Sequence, residues 1–205
     1  MKLIKLFLLC VLCFLPTIGR ATVIDSFNIN AFYSRSMIKI KDINLIQFYP
    51  FFGIEMNIEK DVKNIPITFG AHFRNRGCKS IQFETNPTGD SIIDKNVIVK
   101  LSYIGFLCTL GHDFSVAQSI SFRTSIGGYF DYLINRKGGE IAKSFNKGVL
   151  GIRLLEKISI FTMSKAHLDL NIGLDLDILS STLKPDNLPM KNISWFVGIG
   201  YNYKF

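Results

Sequence analysis

Asn192-Ile193-Ser194-Trp195-Phe196-Val197-Gly198-Ile199-Gly200-Tyr201-Asn202-Tyr203-Lys204-Phe205 closes the chain, and its alternation decides the fold. Successive side chains of a β-strand point to opposite faces. One face therefore carries Ile193, Trp195, Val197, Ile199, Tyr201, Tyr203 and Phe205, and the other Asn192, Ser194, Phe196, Gly198, Gly200, Asn202 and Lys204. The first is wholly apolar or aromatic, with aromatics toward both ends. The second is small or polar except for Phe196. A strand greasy along one side and wet or closely packed along the other has the pattern of a membrane-spanning β-strand.

The segment before it repeats the pattern. Over residues 166–179, Leu168, Leu170, Ile172, Leu174, Leu176 and Ile178 oppose His167, Asp169, Asn171, Gly173, Asp175 and Asp177. Further alternating segments run over residues 26–33, 46–59, 65–76, 96–110, 118–134 and 146–159, which makes eight in all. Pro50 has no N–H to give a ladder, so the second segment is expected to bulge or fray there. In the fourth, Val97, Val99, Leu101 and Tyr103 read as outward, Lys100 and Ser102 as inward, and Gly105 as a bulge. The connections at 61–64, 112–117 and 160–165 are short, whereas those at 34–45, 77–95, 135–145 and 180–191 are longer. Short turns alternating with long loops predict an all-β protein, an eight-stranded antiparallel up-and-down transmembrane β-barrel with both termini in the periplasm. A soluble barrel of the same strand count would invert the faces and enclose Leu170, Ile172 and Leu174 around a ligand cavity.

Residues 1–21 have the three parts of a cleavable signal peptide, leaving 22–205 as the barrel domain. Lys2 and Lys5 precede an apolar run over 6–15, Pro16 breaks it, and Gly19 and Ala21 suit cleavage before Thr22. The run is shorter than the ~20 residues of a spanning helix. The whole chain of 205 residues carries a net charge of +8; without Lys2, Lys5 and Arg20 the balance is 21 basic to 16 acidic residues. That excess is scattered, with no recognition motif, which argues against nucleic acid as a partner. Basic loops at an outer surface suit anionic lipopolysaccharide instead. Cys78 and Cys108 are expected near opposite ends of the barrel as unpaired thiols, and no Cys/His spacing suits a zinc site.

Three stretches carry a family resemblance. Tyr103-Ile104-Gly105-Phe106-Leu107, the Gly-rich aromatic run from Ile126 to Leu133, and the ending Val197-Gly198-Ile199-Gly200-Tyr201-Asn202-Tyr203-Lys204-Phe205 resemble strands of PorT-like, generic outer-membrane β-barrel proteins. The resemblance implies a bacterial outer-membrane location and an assembly signal at Tyr201, Tyr203 and Phe205, read by the barrel-assembly machinery. It implies little about activity, since one fold hosts many roles.

Charges on the inward face shape the functional reading. Glu55, Arg74, Lys100, Arg123, Arg153, Asp169, Asp175 and Asp177 are expected to form a structural ion-pair network in the lumen. Eight-stranded barrels are filled by side chains, and buried charges persist mainly when paired. The expectation is a non-enzymatic barrel with a structural, surface-interaction or envelope-assembly role, without a cofactor, in contact with outer-membrane lipid and lipopolysaccharide. A small passive channel is the alternative. A lipid A-modifying enzyme is a third reading, disfavoured because a Ser nucleophile needs an adjacent base and His72, His112 and His167 lack the His-x-Ser context.

Overall fold

The computed structural model describes residues 24–39, 46–85, 91–117, 119–138, 142, 145–161, 164–178 and 191–205; the export signal expected at 1–21 lies outside them. The described residues form β1 (Ser26–Lys39), β2 (Ile46–Gln47), β3 (Tyr49–Val62), β4 (Ile65–Thr85), β5 (Ser91–Ala117), β6 (Ile120–Lys137), β7 (Gly148–Phe161), β8 (Ala166–Asp177) and β9 (Lys191–Lys204). β2 and β3 are two pieces of one stave, so these nine strands make eight staves in the order β4-β3-β1-β9-β8-β7-β6-β5, closed by pairing of β5 with β4. Every pairing is antiparallel. Closure satisfies the backbone without an open edge, which a bilayer requires because an unpaired polar group there costs several kcal/mol.

The wall has the polarity of a membrane barrel. Ile54, Met56, Phe106, Ile126, Leu154, Leu168, Ile172 and Ile199 are exposed on the outside, while Glu55, Asn57, Arg153, Asp169 and Asn171 are buried inside. Leu170, Ile172 and Leu174 therefore face outward, not into a ligand cavity. On β9, outward Trp195 and Tyr203 lie eight residues apart, roughly 26 Å along the strand and roughly 20 Å along the axis at the usual tilt. That spacing approximates the ~25 Å apolar band of such barrels.

The second stave breaks where Pro50 predicts. Gln47 pairs with Lys79 and Gly53 with Arg74, so residues 48–52 oppose the shorter run 75–78. Inside this mismatched stretch Gly77 takes its partner from β1. Its N–H donates to Ser36 Oγ, and its C=O accepts from the same hydroxyl, both at 2.8 Å. Gly77 has φ +151°, and a Cβ there would strike the Val99 carbonyl. The repair thus needs a small hydroxyl on β1 and glycine on β4.

Several strands outrun their sequence limits. β1 continues to Lys39 because inward Ser34 and Ser36 fit the packed interior. β4 and β5 stay paired as far as Thr85 and Ser91, so most of the loop expected at 77–95 is hairpin. The turn expected at 112–117 is likewise strand, with Ala117 paired to Ile120. The tight connection at Lys63-Asn64 has φ of 52° and 65°, the left-handed pair that matches a two-residue hairpin to strand twist. Cys78 and Cys108 form no disulfide. Cys78 pairs with Val99, nine residues up β5 from Cys108, or roughly 30 Å of strand.

The fourth stave departs most from expectation. Val99, Leu101 and Tyr103 point inward and are almost fully buried, whereas Lys100 is exposed outside. Lys100 is therefore not in the lumen. The alternation continues unbroken through Gly105, which pairs in register with His72 and Asp131 and makes no bulge. The inversion follows from the lumen's far end, which is apolar: Val99, Leu101 and Tyr103 join Leu107, Tyr129, Leu133 and Val149 in one hydrophobic cluster.

Candidate functional site

Charge, burial and loop packing converge in the lumen, which has three levels. At the end where β1 starts and β9 finishes, Glu59 accepts from Ser26 Oγ at 3.3 Å, Lys157 Nζ at 2.7 Å and Arg123 Nη1 at 2.7 Å. Arg123 also grips Asp113 at the mouth through Nε at 2.5 Å and Nη2 at 2.8 Å. Asp169 accepts from Asn28 Nδ2 at 2.7 Å and lies 3.6 Å from Lys157. On the rim, Asp25 binds Lys60 at 3.1 Å and the Asp61 N–H at 2.7 Å. Burial pushes its carboxyl up, but that N–H and the ammonium outweigh burial and hold it below its ordinary pKa.

At mid-height the chain places an arginine–carboxylate cluster shut off from solvent. Arg153 donates from Nε and Nη2 to the two oxygens of Asp175 at 2.8 and 3.0 Å, and from Nη1 to Glu55. Arg74 bridges Asp175, through Nη1, to Asp131, through Nε at 2.9 Å. His72 Nε2 meets the other oxygen of Asp131 at 2.6 Å. Arg76 Nη1 and the Tyr129 hydroxyl both donate to Asp177, at 2.7 and 2.6 Å. Aromatic faces cover the cations: Arg74 and Arg76 lie 4.2 and 4.8 Å from the Tyr129 centroid, and Arg153 lies 4.7 Å from that of Phe196. Phe196, the apolar exception on β9's inner face, thus has a cation to cover. Gly105 makes the cluster possible, since a Cβ there would meet His72 Nε2 at 2.6 Å and the Phe130 carbonyl at 2.5 Å.

The far level is the hydrophobic cluster, completed by Ala142 and Phe145 from between β6 and β7. Leu133 N–H donates to the Lys147 carbonyl at 2.6 Å, tying this connection to the wall. Between the termini and the cluster, a void beside Asn28, Asn57, Glu59, Lys157 and Asn171 measures 10 Å³, about the space that one water needs.

Of the residues expected in the network, Glu55, Arg74, Arg153 and Asp175 meet directly at mid-height. Asp177 joins through Arg76, which lies 3.5 Å from Asp175. Arg123 and Asp169 belong to the lower level, and Lys100 to none, being outside the wall. Glu59, His72, Arg76, Tyr129, Asp131 and Lys157 also join the network without being among the members expected from sequence. All six have the inward parity of their strands, so alternation was the available signal. Tyr201, Tyr203 and Phe205 are exposed outside at the terminal rim, where the Phe205 N–H donates to the Asp25 carbonyl at 3.1 Å.

No protein-family model matches the chain, and no curated protein does. Solved structures do. The outer membrane protein OprG from Pseudomonas aeruginosa is similar at 12% identity and a TM-score of 0.48, over 88% of this chain and 96% of that one. A major outer membrane protein from Thermus thermophilus is similar at 11% identity and a TM-score of 0.48, over 85% and 99%. Neisserial surface protein A is similar at 13% identity and a TM-score of 0.47, over 87% and 97%. These likenesses concern the fold alone. The assignment as a closed eight-stave barrel of the outer-membrane type rests on the wall, the lumen and the closure of the sheet.

Proposed function

We propose that this chain is a non-enzymatic outer-membrane barrel whose lumen is a sealed structural core and whose role is carried by its outer wall and loops. The observation that carries this is the two-part seal. A continuous arginine–carboxylate cluster spans mid-height, and an apolar layer closed by Phe145 lies above it. An ion entering would have to separate paired charges in a low-dielectric interior and then cross the apolar layer, so paired charge acts here as filling rather than as a pathway.

The same burial disfavours hydrolytic chemistry at His72. Its ring is fully enclosed and turned onto Asp131, without access for a lipid ester. The resemblance to PorT-like barrels suits a structural or envelope-assembly role. The start of β1 and the end of β9 lie at one end of the barrel, which is the periplasmic end in this reading. Tyr201, Tyr203 and Phe205 then stand at the inner interface, where the assembly machinery meets the last strand.

Planar-bilayer recording of the membrane-extracted protein tests the seal. The expected result is silence across ±100 mV at roughly physiological salt. Regular unitary openings in the parent that vanish with an added lumen charge would establish a channel instead.

A further inference from the structure

The outer wall is not uniform. A groove of 470 Å³ runs over β1, with Ala31 on its floor, Phe52 and Ile54 on one flank, and Val197, Ile199 and Leu170 on the other. Its form follows from the register: Ala31 pairs with Ile54 on β3 and with Ile199 on β9, so one methyl lies between two branched side chains. Both flanks stand proud, with Phe52 and Ile199 about 70% exposed. Directly behind, Phe32 fills the lumen side between Gly53 and Gly198.

The groove does not end in more apolar wall. Residues Ala31, Tyr33 and Arg35 alternate on the same outward face of β1. Arg35 is four residues beyond Ala31, roughly 13 Å along the strand. Its Nε donates to the Tyr33 hydroxyl at 3.3 Å. The Tyr33 ring lies 5.5 Å from Phe52 and 6.5 Å from Trp195, an aromatic cluster of the kind that settles at a bilayer interface. An apolar trough thus leads into an interfacial collar topped by an exposed guanidinium.

We infer that this face is a binding site for one lipid A molecule of lipopolysaccharide, with an acyl chain in the Ala31 groove and a phosphate on Arg35. The occupant follows from the two ends of the site. The groove accepts only hydrocarbon, and a guanidinium beside a phenol hydroxyl matches a phosphate by charge-assisted hydrogen bonds. Lipid A rather than a glycerophospholipid follows from the leaflet, and that step rests on the orientation proposed above: with the termini periplasmic, Arg35 stands at the outer-leaflet interface. Phe52, Tyr33 and Trp195 would pack along the first acyl methylenes and hold the headgroup at the height of Arg35.

The test is native mass spectrometry of the full, membrane-extracted protein titrated with lipid A, dephosphorylated lipid A or phosphatidylglycerol. Lipid A is expected to bind one to one and about tenfold more tightly than either competitor, a difference of ~1.4 kcal/mol. Arg35→Gln should erase the preference for the phosphorylated form. Ala31→Phe, which fills the groove, should weaken all lipids about tenfold. Ala71→Phe, at an outward position on β4, serves as the control and should change neither. The inference is overturned if Ala71→Phe weakens binding as much as Ala31→Phe, or if Arg35→Gln leaves the preference intact. A dimer dissolved by Ala31→Phe without any lipid A preference would overturn it too, since the groove would then hold a second copy. Equal binding of phosphatidylglycerol that still depends on Arg35 would overturn the choice of lipid A and the orientation behind it. The bilayer recording is separate, so a conducting lumen would refute the sealed-core proposal without touching this site.

Discussion

Arg153→Met should destabilise the barrel by about 3–5 kcal/mol, the cost of leaving buried charges without their partner. Arg153 holds both Glu55 and Asp175, and its side chain is almost wholly enclosed. Removing it takes away the guanidinium bound to Glu55, which among the described residues then keeps only the Asn57 amide as a hydrogen-bond donor. Asp175 keeps Arg74. The measurement is urea unfolding in detergent micelles, followed by the loss of heat-modifiable mobility on gels. The double substitution Glu55→Met/Arg153→Met removes charge and countercharge together and should recover more than half of the loss. Packed apolar groups can replace a buried ion pair at little net cost, whereas a lone carboxylate in the barrel has no such remedy. If the double variant were as unstable as the sum of its two single variants, the pair would not be coupled and the cluster would not act as a unit.

Gly105→Ala is expected to cost about 1–3 kcal/mol, the range for forcing an extra group into a closely packed interior. The new methyl would press on His72 Nε2 and on the Phe130 carbonyl, and one of these is backbone held in a ladder. It would also wedge the His72–Asp131 contact apart, loosening the cluster from the side of β5. Gly128→Ala is the control: a Cβ there meets only the Gly151 carbonyl, at 3.7 Å, so its effect should stay within about 0.5 kcal/mol, as for an ordinary surface change. Unfolding midpoints of the two variants decide the matter. Equal shifts would mean that the glycine at 105 is there for strand flexibility and not for the space His72 and Asp131 need.

The parts of the fold legible in sequence were those in which one physical demand governs a whole face. β8 and β9 alternate cleanly because lipid constrains every outward position and the polar or glycine-lined lumen nearly every inward one. On β5 polarity misleads toward the far end because it is inverted there. Val99, Leu101 and Tyr103 pack inward on the hydrophobic cluster while Lys100 and Ser102 stand on the outer face, so a reading by polarity alone turns the wrong side inward. The length of β1 was hidden for the opposite reason. Ser34, Arg35 and Ser36 read as loop chemistry, yet the two serines are buried wall residues, and Ser36 binds both backbone groups of Gly77 where the β3–β4 register is broken. Such a repair is invisible until the register is known.

The candidate site divides in the same way. Inward parity identifies most of its charged members, since a charge on the lipid face of a barrel is costly near mid-height. Partnership does not follow from parity. That Arg74 joins Asp131 to Asp175, that His72 faces Asp131 across Gly105, and that Phe145 closes the far end all depend on cross-strand register and on a connection between strands. Neither is encoded in any single segment.

Cysteine scanning of β8 distinguishes a lipid-clad wall around a sealed core from a water-filled barrel. Single cysteines at positions 168 to 177, in a Cys78→Ala/Cys108→Ala background and in native membranes, would be probed with a membrane-impermeant thiol reagent and a lipid-dissolved one. Strict alternation is expected. Positions 168, 170 and 172 should react from the lipid only, and 169, 171 and 175 should resist both reagents, because Asp169, Asn171 and Asp175 are enclosed. Rapid reaction of 169, 171 and 175 with the impermeant reagent would reveal a water-filled lumen and contradict the proposed sealed core.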